Sequence, residues 1–581
     1  MVSIKKQGIL SISEQSKLDS NFRRRRYASF FILYLIFSHI STRKILFNGK
    51  NKHYMNVKLK KENNMTKLTS SELANRLWEM ANGLRGNIDA SEFKDYILGL
   101  MFYRFLSDRS KKLVKKALKI REDKFDYNTE YYKNQKLLDE VVIEKLGCIV
   151  RPEYTFDKIM EKIANKTFTI EDLQTAFNEI EKTTKDGGAA EAAYKNLLNG
   201  SVDLNSNKLG DNVNTRSHII AKVLTEIDKI YSDYENSDFD ILGRSYEILI
   251  GDFAASAGKK GGEFYTPECM QKLVCQLASY GFNKVDAACD PTCGSASMLI
   301  KLKDYVEVEH YFGTELNSTT EKLARMNMIL HGIDFDKFDV RQGNTLKTPD
   351  LAEGEQYQVV VANPPYSAHW EPSEAMEDPR FAFYGKPAPR TKADFAFVQH
   401  IIYHLAENGR AAILLPHGVL FRGSAESLIR KTILENNLID AIIGLPANCF
   451  YGTSIPVCCI VLSKSRKEGD PICFIDASKY FTPGKNMNSI SDDDINRILN
   501  AYRGKEDIDK FCHMADMNEI ESNDYNLNIS RYVDTSEEEE EIDLQEVANE
   551  IRKVEAEIND TNKELKKYFD ELGLDFPFDI H

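Results

Sequence analysis

Between Phe239 and Tyr480, short apolar runs of strand type alternate with stretches of helical periodicity, which limits the possible folds more than any other feature. This alternation predicts an α/β fold: a doubly wound, mostly parallel sheet with helices on both faces. Ligands of such sheets bind beyond the carboxyl ends of the strands, so we expect functional residues in the loops that follow strands. The predicted strands are residues 285–289, 310–314, 338–341, 357–362, 410–415, 439–445 and 457–463, and the predicted helices are 316–331, 395–407 and 425–436.

A helical region precedes this alternation. In the sequence, Thr69 with Glu72 and Asp89 with Glu92 fit capping boxes ahead of apolar residues at helical spacing. We therefore predict an N-terminal all-helical domain over residues 65–235 and a central α/β domain over 236–480.

The C-terminal region, residues 481–581, contains five consecutive glutamates at 537–541 and then an apolar seam. The seam repeats at alternating spacings of three and four residues, which is a heptad pattern that predicts an amphipathic helix over 542–572. Such a helix needs a second helical surface, which is either its own domain or a partner protein. The seam consists of Leu544, Val547, Ile551, Val554, Ile558, Thr561, Leu565, Tyr568 and Leu572.

Residues 1–64 differ in composition from the rest. They hold 14 basic and 3 acidic residues, against a net charge of −13 for the whole chain. Lys61-Glu62 can be encoded as a ribosome-binding sequence ahead of Met65, so we expect 1–64 to be a non-native leader. A disordered basic tail and a membrane-surface anchor remain alternatives.

The charge and the cysteines exclude several classes of protein. A chain with 76 basic and 89 acidic residues is poorly suited to coat nucleic acid alone, because neutralising phosphates needs surplus Lys and Arg. The ten cysteines form no paired CxxC spacing, which predicts reduced thiols, no metal site and a cytoplasmic location. The longest apolar run, residues 27–37, is too short to span a bilayer.

Three strand ends carry the residues that indicate chemistry. The small-residue turn from Asp290 to Ala296 joins a predicted strand to a helix, where a ligand can approach the backbone closely. Glu315 follows the next strand and is placed to accept hydrogen bonds from both hydroxyls of a ribose. After a third strand, Asn363, Pro364, Pro365 and Tyr366 form a stiff loop that can hold a planar amine and stack on its ring.

These motifs, in this order from Met65 to the C-terminus, resemble the methyltransferase (modification) subunit of type I restriction-modification systems. That family transfers a methyl group from S-adenosyl-L-methionine to the N6 amine of adenine in DNA. The resemblance also rests on Leu84-Arg85-Gly86 and on residues 96–106, 242–246, 343–346, 411–420 and 526–533. It implies a Rossmann-like S-adenosylmethionine-dependent methyltransferase fold for 236–480.

The resemblance implies roles for individual residues. Asn363, Pro364, Pro365 and Tyr366 are the expected catalytic residues: Asn363 and the Pro364 carbonyl accept the amine N–H groups, and Tyr366 stacks on a flipped-out adenine. No metal is needed. The expected cofactor-binding residues are Glu263, Phe264, Tyr265, Thr266, Pro267, Glu268, Asp290, Thr292, Cys293, Gly294, Ser295, Glu315 and Asn344.

Two positions depart from the family pattern. Ala296 replaces a common Gly, and we expect its methyl to be tolerated if its φ is negative. Asn344 stands where many relatives have Asp, so it can donate as well as accept. Residues 367–392 form a long polar insertion with aromatics, which predicts a mobile loop that orders on DNA. The alternative is a surface loop with Trp370, Phe381, Phe383 and Tyr384 turned into the core.

The resemblance also implies partners. These are double-stranded DNA, a separate specificity subunit bound through the helix 544–572, and a restriction subunit, with two copies of this chain per specificity subunit and no membrane. The N-terminal helices either only pack or also help to grip DNA. Three other functions stay open: methylation of a glutamine amide in a release factor, a stand-alone DNA methyltransferase, and a scaffold without activity.

Overall fold

A computed structural model describes residues 69–84, 90–121, 124–184, 188–232, 239–257, 265–347, 355–373, 375–451, 453–485, 487–536 and 544–578. Residues 1–64, predicted to be a leader, lie outside these ranges. So do Asp89 of the second predicted capping box, Arg85 and Gly86 of the family motif, and the expected cofactor residues Glu263 and Phe264.

The described residues before 233 are helical, as predicted. Thr69 caps the first helix: its hydroxyl accepts from the Glu72 N–H at 3.3 Å, and its own N–H donates to the Glu72 carboxylate at 2.7 Å. The buried guanidinium of Arg104 bonds Asp228 at 2.7 Å and so joins the second helix to the ninth. The helices are α1 (Ser70–Leu84), α2 (Ala90–Leu118), α3 (Tyr127–Lys133), α4 (Gln135–Leu146), α5 (Phe156–Ala164), α6 (Ile170–Glu181), α7 (Ala189–Tyr194), α8 (Leu197–Ser201) and α9 (Val213–Ser232).

The central region forms one nine-stranded sheet, and all seven predicted strands are present in it. Two strands were not predicted, Ile472–Asp476 and Cys512–Ala515, and the second lies beyond residue 480. The strands are β1 (Lys284–Asp290), β2 (Glu307–Glu315), β3 (Phe338–Gln342), β4 (Tyr357–Ala362), β5 (Leu405–Pro416), β6 (Ile439–Gly444), β7 (Val457–Ser463), β8 (Ile472–Asp476) and β9 (Cys512–Ala515).

The strand order places the carboxyl ends of β1 and β4 side by side. The order is β3-β2-β1-β4-β5-β7-β6-β8-β9, so the chain builds outward from β1 in one direction and then returns to β4 to build in the other. Strands β1 to β5 are parallel, whereas β7 runs antiparallel between β5 and β6, and β9 is antiparallel to β8. This arrangement confirms the predicted mostly parallel, doubly wound sheet, and its switch point lies between β1 and β4.

Helices cover both faces of the sheet and enclose two apolar cores. The predicted helices 316–331, 395–407 and 425–436 are confirmed, the second ending earlier because residues 405–407 begin β5. The described helices of this region are α10 (Phe239–Ala257), α11 (Glu268–Ala278), α12 (Ser297–Leu302), α13 (Ser318–Leu330), α14 (Pro379–Ala382), α15 (Asp394–His404), α16 (Ala425–Glu435), α17 (Asp492–Gly504) and α18 (Met517–Ser522). Short 3-10 turns occur at Pro152–Tyr154 and Asn207–Leu209 among the N-terminal helices, and at His417–Leu420 and Ile529–Arg531 in this region.

Helix α13 connects the sheet to the N-terminal helices. Its buried Arg325 donates from one nitrogen to the carbonyls of Ala192, Ala193 and Lys195 at 3.0–3.1 Å. On the same helix, the Asn327 amide donates to the Ser295 carbonyl at 2.9 Å, in the turn after β1. One helix therefore holds both the end of α7 and the predicted cofactor loop.

The last helix, α19 (Leu544–Leu572), has the predicted heptad seam. Within the described residues, α19 buries none of its side chains, and apolar side chains such as Ile551, Val554 and Ile558 are more than half exposed. Among the described parts of the chain, no helix combines the length and the apolar character needed to cross a membrane.

Candidate active site

The predicted site residues converge at the switch point between β1 and β4. The turn after β1 and the Asn363 loop after β4 follow strands that pair at Ala288–Val359 and Cys289–Val360. The loops after β2 and β3 join the same edge, because the Gly343 N–H donates to the Glu315 carbonyl at 2.9 Å and the Thr345 hydroxyl donates to the Pro291 carbonyl at 2.6 Å. The described candidates after β1, β2, β3 and β4 therefore line one edge.

Asp290 ends β1 as a fully buried carboxylate. Its Oδ1 accepts from the Thr292 N–H at 2.9 Å and from the Thr292 hydroxyl at 3.3 Å. Its Oδ2 is buried and has no hydrogen-bond partner among the described residues. Burial raises the pKa of this carboxyl to about 7. A buried carboxylate oxygen without a donor suits a ligand that brings one.

The turn that follows is tight and has two residues with positive φ. Gly294 has a φ of 54°, and Ala296 has a φ of 61°. The Ala296 N–H closes the turn on the Cys293 carbonyl at 2.7 Å. The condition stated for tolerating the Ala296 methyl, a negative φ, is therefore not met. In this turn Ser295 contacts the Ser297 hydroxyl at 2.9 Å.

Glu315 connects this turn with the end of β2. Its Oε2 accepts from the Gly294 N–H at 3.1 Å and its Oε1 from the Asn317 N–H at 2.7 Å. Burial raises its pKa. Because each carboxylate oxygen has two lone pairs, both oxygens can still accept from a ribose hydroxyl. Gly313 leaves little space nearby, since a Cβ there would lie 3.0 Å from the Cys293 sulfur.

Asn344 follows β3 and is exposed. Its Oδ1 accepts from the Leu346 N–H at 3.0 Å, which fixes the side-chain amide against its own turn. The amide nitrogen is the group of Asn344 that is directed away from this bond. This nitrogen is the part of the side chain that can donate to a ligand.

The Asn363 amide is held from both sides. Its Nδ2 donates to the Thr266 hydroxyl at 2.9 Å, and its Oδ1 accepts from the Tyr366 hydroxyl at 2.8 Å. Thr266, predicted as a cofactor residue, thus contacts a predicted catalytic residue. Pro364 is buried and Pro365 exposed. The rest of the upstream segment surrounds this contact: Tyr265 packs over Gly251, the Pro267 carbonyl starts α11, and the exposed Glu268 lies 3.8 Å from Lys272 and Lys301.

An aromatic residue of this site was not predicted. The ring of Phe450 meets the ring of Tyr366 edge to face, with centroids 6.0 Å apart and an interplanar angle of 86°. Tyr451 lies 6.2 Å from Tyr265. Phe450 lies in the loop that follows β6. The adjacent aromatic residues Phe450 and Tyr451 in this loop are the sequence signal from which it could have been predicted. Tyr366 and Phe450 therefore form one aromatic corner beside Asn363.

The insertion, residues 367–392, packs on the domain for much of its length. Trp370, Phe381 and Tyr384 are buried, and only Phe383 of the four predicted aromatics is exposed, at 64%. Main-chain bonds close its base, from Ala393 to Ala368 at 2.9 Å and from Trp370 to Arg390 at 3.0 Å. The prediction of a mobile loop is therefore wrong for these residues, because their aromatic rings are part of the second core.

The family models that match this chain cover both halves of it. Residues 237–541 match the model described as N-6 DNA Methylase, which is more than half of the chain. Residues 73–227 match the HsdM N-terminal domain.

Individual relatives agree with the family models. The chain is 34% identical to the type I restriction enzyme MpnII methylase subunit of Mycoplasma pneumoniae, over 86% of this chain and 96% of the relative. It is 34% identical to the MjaVII methylase subunit of Methanocaldococcus jannaschii, over 60% of this chain and 62% of that one. A crystal structure of the type I restriction-modification methyltransferase subunit from Streptococcus thermophilus matches with 42% identity and a TM-score of 0.74, over 80% of this chain and 100% of that chain. The chain therefore belongs to the N-6 DNA methylase family, as an adenine-specific DNA methyltransferase of the kind that forms the methylase subunit of type I restriction enzymes.

Proposed function

We propose that this chain transfers a methyl group from S-adenosyl-L-methionine to the N6 amine of a flipped-out adenine in double-stranded DNA, directed by a separate specificity subunit. The observation that carries the proposal is the Asn363 amide. Its nitrogen donates to Thr266 on one side and its oxygen accepts from Tyr366 on the other, at the end of a strand beside the switch point. This is the arrangement that an acceptor for a planar amine requires.

The donor set at the strand ends fits S-adenosylmethionine. When bound, this cofactor supplies a methyl group on a positively charged sulfonium. Asp290 offers a buried carboxylate oxygen without a protein donor, which suits a cationic ligand. Glu315 has acceptor capacity left for two ribose hydroxyls. Asn344 presents an amide N–H, which fits an acceptor nitrogen of an adenine ring. Cys293, Gly294 and Ser295 supply the close backbone approach.

The chain's own residues act on the target amine by position. An adenine exocyclic amine is a weak nucleophile, because its lone pair is delocalised into the ring. Asn363 Oδ1 has a second lone pair beside the one that Tyr366 uses, and with the Pro364 carbonyl it can accept the two amine N–H groups. These bonds localise the lone pair and align the amine for transfer. Pro365 stiffens the loop that holds this geometry.

The aromatic corner suits a base that has left the duplex. Reaching a deep strand-end site requires the adenine to flip out of the stack. Tyr366 offers a ring face, and Phe450 meets that ring edge to face at 86°. Two perpendicular rings can contact a flat base on its face and on its edge.

Although the chain is acidic overall, it has a local cluster of basic residues that can bind DNA. Residues 109–121 contain seven basic and no acidic residues. Arg109, Lys112 and Lys116 recur at spacings of three and four at the end of α2, Lys119 directly follows the helix, and the three lysines are exposed. We call these four residues the basic stripe. A stripe of this kind fits contacts with DNA phosphates, so the N-terminal helices take part in the grip.

The specificity subunit binds through α19. A 29-residue helix with no buried side chain and an apolar seam along its length is stable only against another helical surface. No phosphate-binding GxxxxGK loop occurs in the sequence, so DNA translocation belongs to a restriction subunit. In the proposed complex two copies of this chain flank one specificity subunit in the cytoplasm, where the DNA is.

The test is methyl transfer from labelled S-adenosylmethionine to DNA, with and without the specificity protein encoded beside this chain. We expect label on adenine N6 only when the partner is present. Asn363→Ala should abolish the label while it leaves cofactor binding intact, as measured by calorimetry. Equal label without the partner would show that this chain reads DNA alone, and label on protein would support the glutamine-methylating alternative.

A further inference from the structure

We propose that Arg380, in the insertion, is a positioning residue that holds the Asn344 turn in the geometry that binds the cofactor. The inference rests on the proposed role of Asn344. The insertion directly follows the Asn363 loop in the sequence, but through Arg380 it would support the cofactor-binding side of the site.

Arg380 is 2% exposed, and all five of its N–H groups find acceptors. Nη1 donates to the Thr345 carbonyl at 2.6 Å and lies 2.9 Å from His400 Nδ1. Nη2 donates to the Leu346 carbonyl at 3.4 Å and to Asp378 at 2.6 Å, and Nε donates to Asp378 at 3.0 Å. Two of these acceptors are main-chain atoms of another loop, so the guanidinium fixes backbone that is remote in sequence.

That backbone is the turn on which Asn344 depends. Leu346, whose carbonyl Arg380 binds, is also the residue whose N–H holds the Asn344 Oδ1. Thr345, whose carbonyl Arg380 binds, donates its hydroxyl to Pro291 in the turn after β1. Arg380 therefore stabilises the residues that orient the amide and that link it to the Asp290 turn.

The acceptor set favours arginine over lysine. A guanidinium donates in fixed directions within one plane, whereas an ammonium is a single point charge that cannot reach four acceptors in this arrangement. His400 is fully buried on α15, and burial lowers its pKa well below the usual value, so the ring is neutral and its Nδ1 can accept. Asp378 balances the charge of Arg380 at 2.6 Å.

The insertion is anchored firmly enough to hold this arginine. Ser367, which directly follows Tyr366, donates its N–H to the buried Asp394 carboxylate at 2.8 Å. The other oxygen of Asp394 binds Arg422 at 2.9 Å. The base of the insertion is closed by main-chain bonds, and the rings of Trp370 and Phe381 pack with their centroids 5.1 Å apart. These contacts fix the part of the insertion that carries Arg380 against the domain.

The experiment compares Arg380→Lys and Arg380→Met with the wild type in the full chain. Calorimetry gives the Kd for S-adenosylmethionine, and steady-state methylation with the specificity subunit gives kcat and KM. We expect Arg380→Met to raise Kd and KM for the cofactor roughly tenfold to hundredfold, with kcat at saturating cofactor within about twofold. Arg380→Lys should fall between the two, because it keeps the charge but not the planar set of donors.

Arg466→Met is the matched control. The Arg466 side chain is 3% exposed, close to that of Arg380, but within the described structure its hydrogen bonds go to Asn437, Asp440, Asp470 and Pro471, none of which belongs to the Asn344 turn. We expect it to lower Tm while it leaves the cofactor Kd unchanged. A folded Arg380→Met protein with the wild-type Kd and KM would overturn the proposal, as would a loss confined to kcat.

His400 provides a second pair of variants should Arg380→Met fail to fold. His400→Asn places an oxygen near the position of Nδ1 and should bind the cofactor almost as the wild type does. His400→Leu removes the acceptor and should weaken binding severalfold. Equal affinities in these two variants would overturn the proposal. Failure of the wild type to bind S-adenosylmethionine would instead contradict the proposed function.

Discussion

The side-chain amide of Asn363 donates to the hydroxyl of Thr266 at 2.9 Å, across 97 positions in the sequence. An amide has two orientations related by a flip, and only one directs its oxygen toward an incoming amine. In the structure Thr266 provides the acceptor for the amide nitrogen, and the Tyr366 hydroxyl donates to the amide oxygen. The segment before α11 therefore contributes directly to the catalytic loop.

Thr266→Val tests this relationship. The variant keeps the shape of the side chain but leaves the Asn363 N–H without an acceptor, which costs about 1–3 kcal/mol. We expect the single-turnover rate of methyl transfer to fall roughly tenfold to hundredfold. Thr266→Ser, which retains the hydroxyl, should stay close to the wild-type rate. Equal rates for the valine and serine variants would contradict the role of Thr266.

Ala296→Gly is expected to leave the stability of the protein nearly unchanged. Ala296 has a φ of 61°, where an L-residue with a Cβ costs roughly 1–2 kcal/mol. Glycine relieves that cost but loses roughly 0.5–1 kcal/mol of chain entropy, and it also loses the burial of a methyl group that is 0% exposed, about 0.8 kcal/mol, so the net change is close to zero. Urea unfolding measures it. Ala296→Val, a branched residue at positive φ, should lower the free energy of unfolding, and a valine variant as stable as the wild type would contradict the backbone assignment.

Cofactor affinity should depend on pH through Asp290. Burial raises the pKa of this carboxyl to about 7 in the free protein, whereas a cationic ligand favours the ionised form. Binding therefore displaces a proton below pH 7, and the Kd should rise as the pH falls, by up to about tenfold per unit. Calorimetry in buffers of different ionisation enthalpy detects the released proton. In Asp290→Asn the pH slope should vanish, and a persisting slope would assign it to another group.

The basic stripe should determine part of the salt dependence of DNA binding. Changing Lys112, Lys116 and Lys119 to Gln removes three positive charges from an exposed surface. If each contacts a phosphate, the slope of log K against log salt falls by about 3. The loss should be the same for target and non-target DNA, because phosphates carry no sequence information. An unchanged slope would remove α2 from the DNA interface.

The seam of α19 should be needed for assembly alone. Val554→Asp with Ile558→Asp places two charges in the seam, and we expect loss of co-purification with the specificity subunit. Cofactor affinity should not change, because α19 buries no side chain within the described structure. Gln545→Glu with Asn549→Asp adds the same charge away from the seam and should preserve the complex. Assembly by the seam variant would place the partner elsewhere.

Helices and strands with a clear residue pattern of their own could be predicted from the sequence. Long apolar runs identified β4 and β7, and the heptad seam identified α19, which begins at Leu544 and not at the predicted residue 542. Strand β9 has only four residues and was missed, since its strand character comes from pairing with β8. Short segments depend on tertiary context more than on their own pattern.

Contacts between distant residues could not be predicted in the same way. The turn after β1 and the Asn363 loop were found from their positions at strand ends, which topology brings together. The bond from Thr266 to Asn363 and the corner of Tyr366 with Phe450 join segments that no local pattern relates. The insertion was misjudged because its polar composition hides three rings that are buried by the rest of the domain.

The pairing of β1 with β4 has a consequence for the order in which the protein is made. β1, β2 and β3 can associate as they leave the ribosome, but β4 is the strand that joins the remaining five to them. The Asp290 turn belongs to the early half and the Asn363 loop to the late half. A chain whose synthesis stops early, or whose halves have not docked, therefore has no complete site. Methylation activity thus reports that the two halves of the sheet have docked.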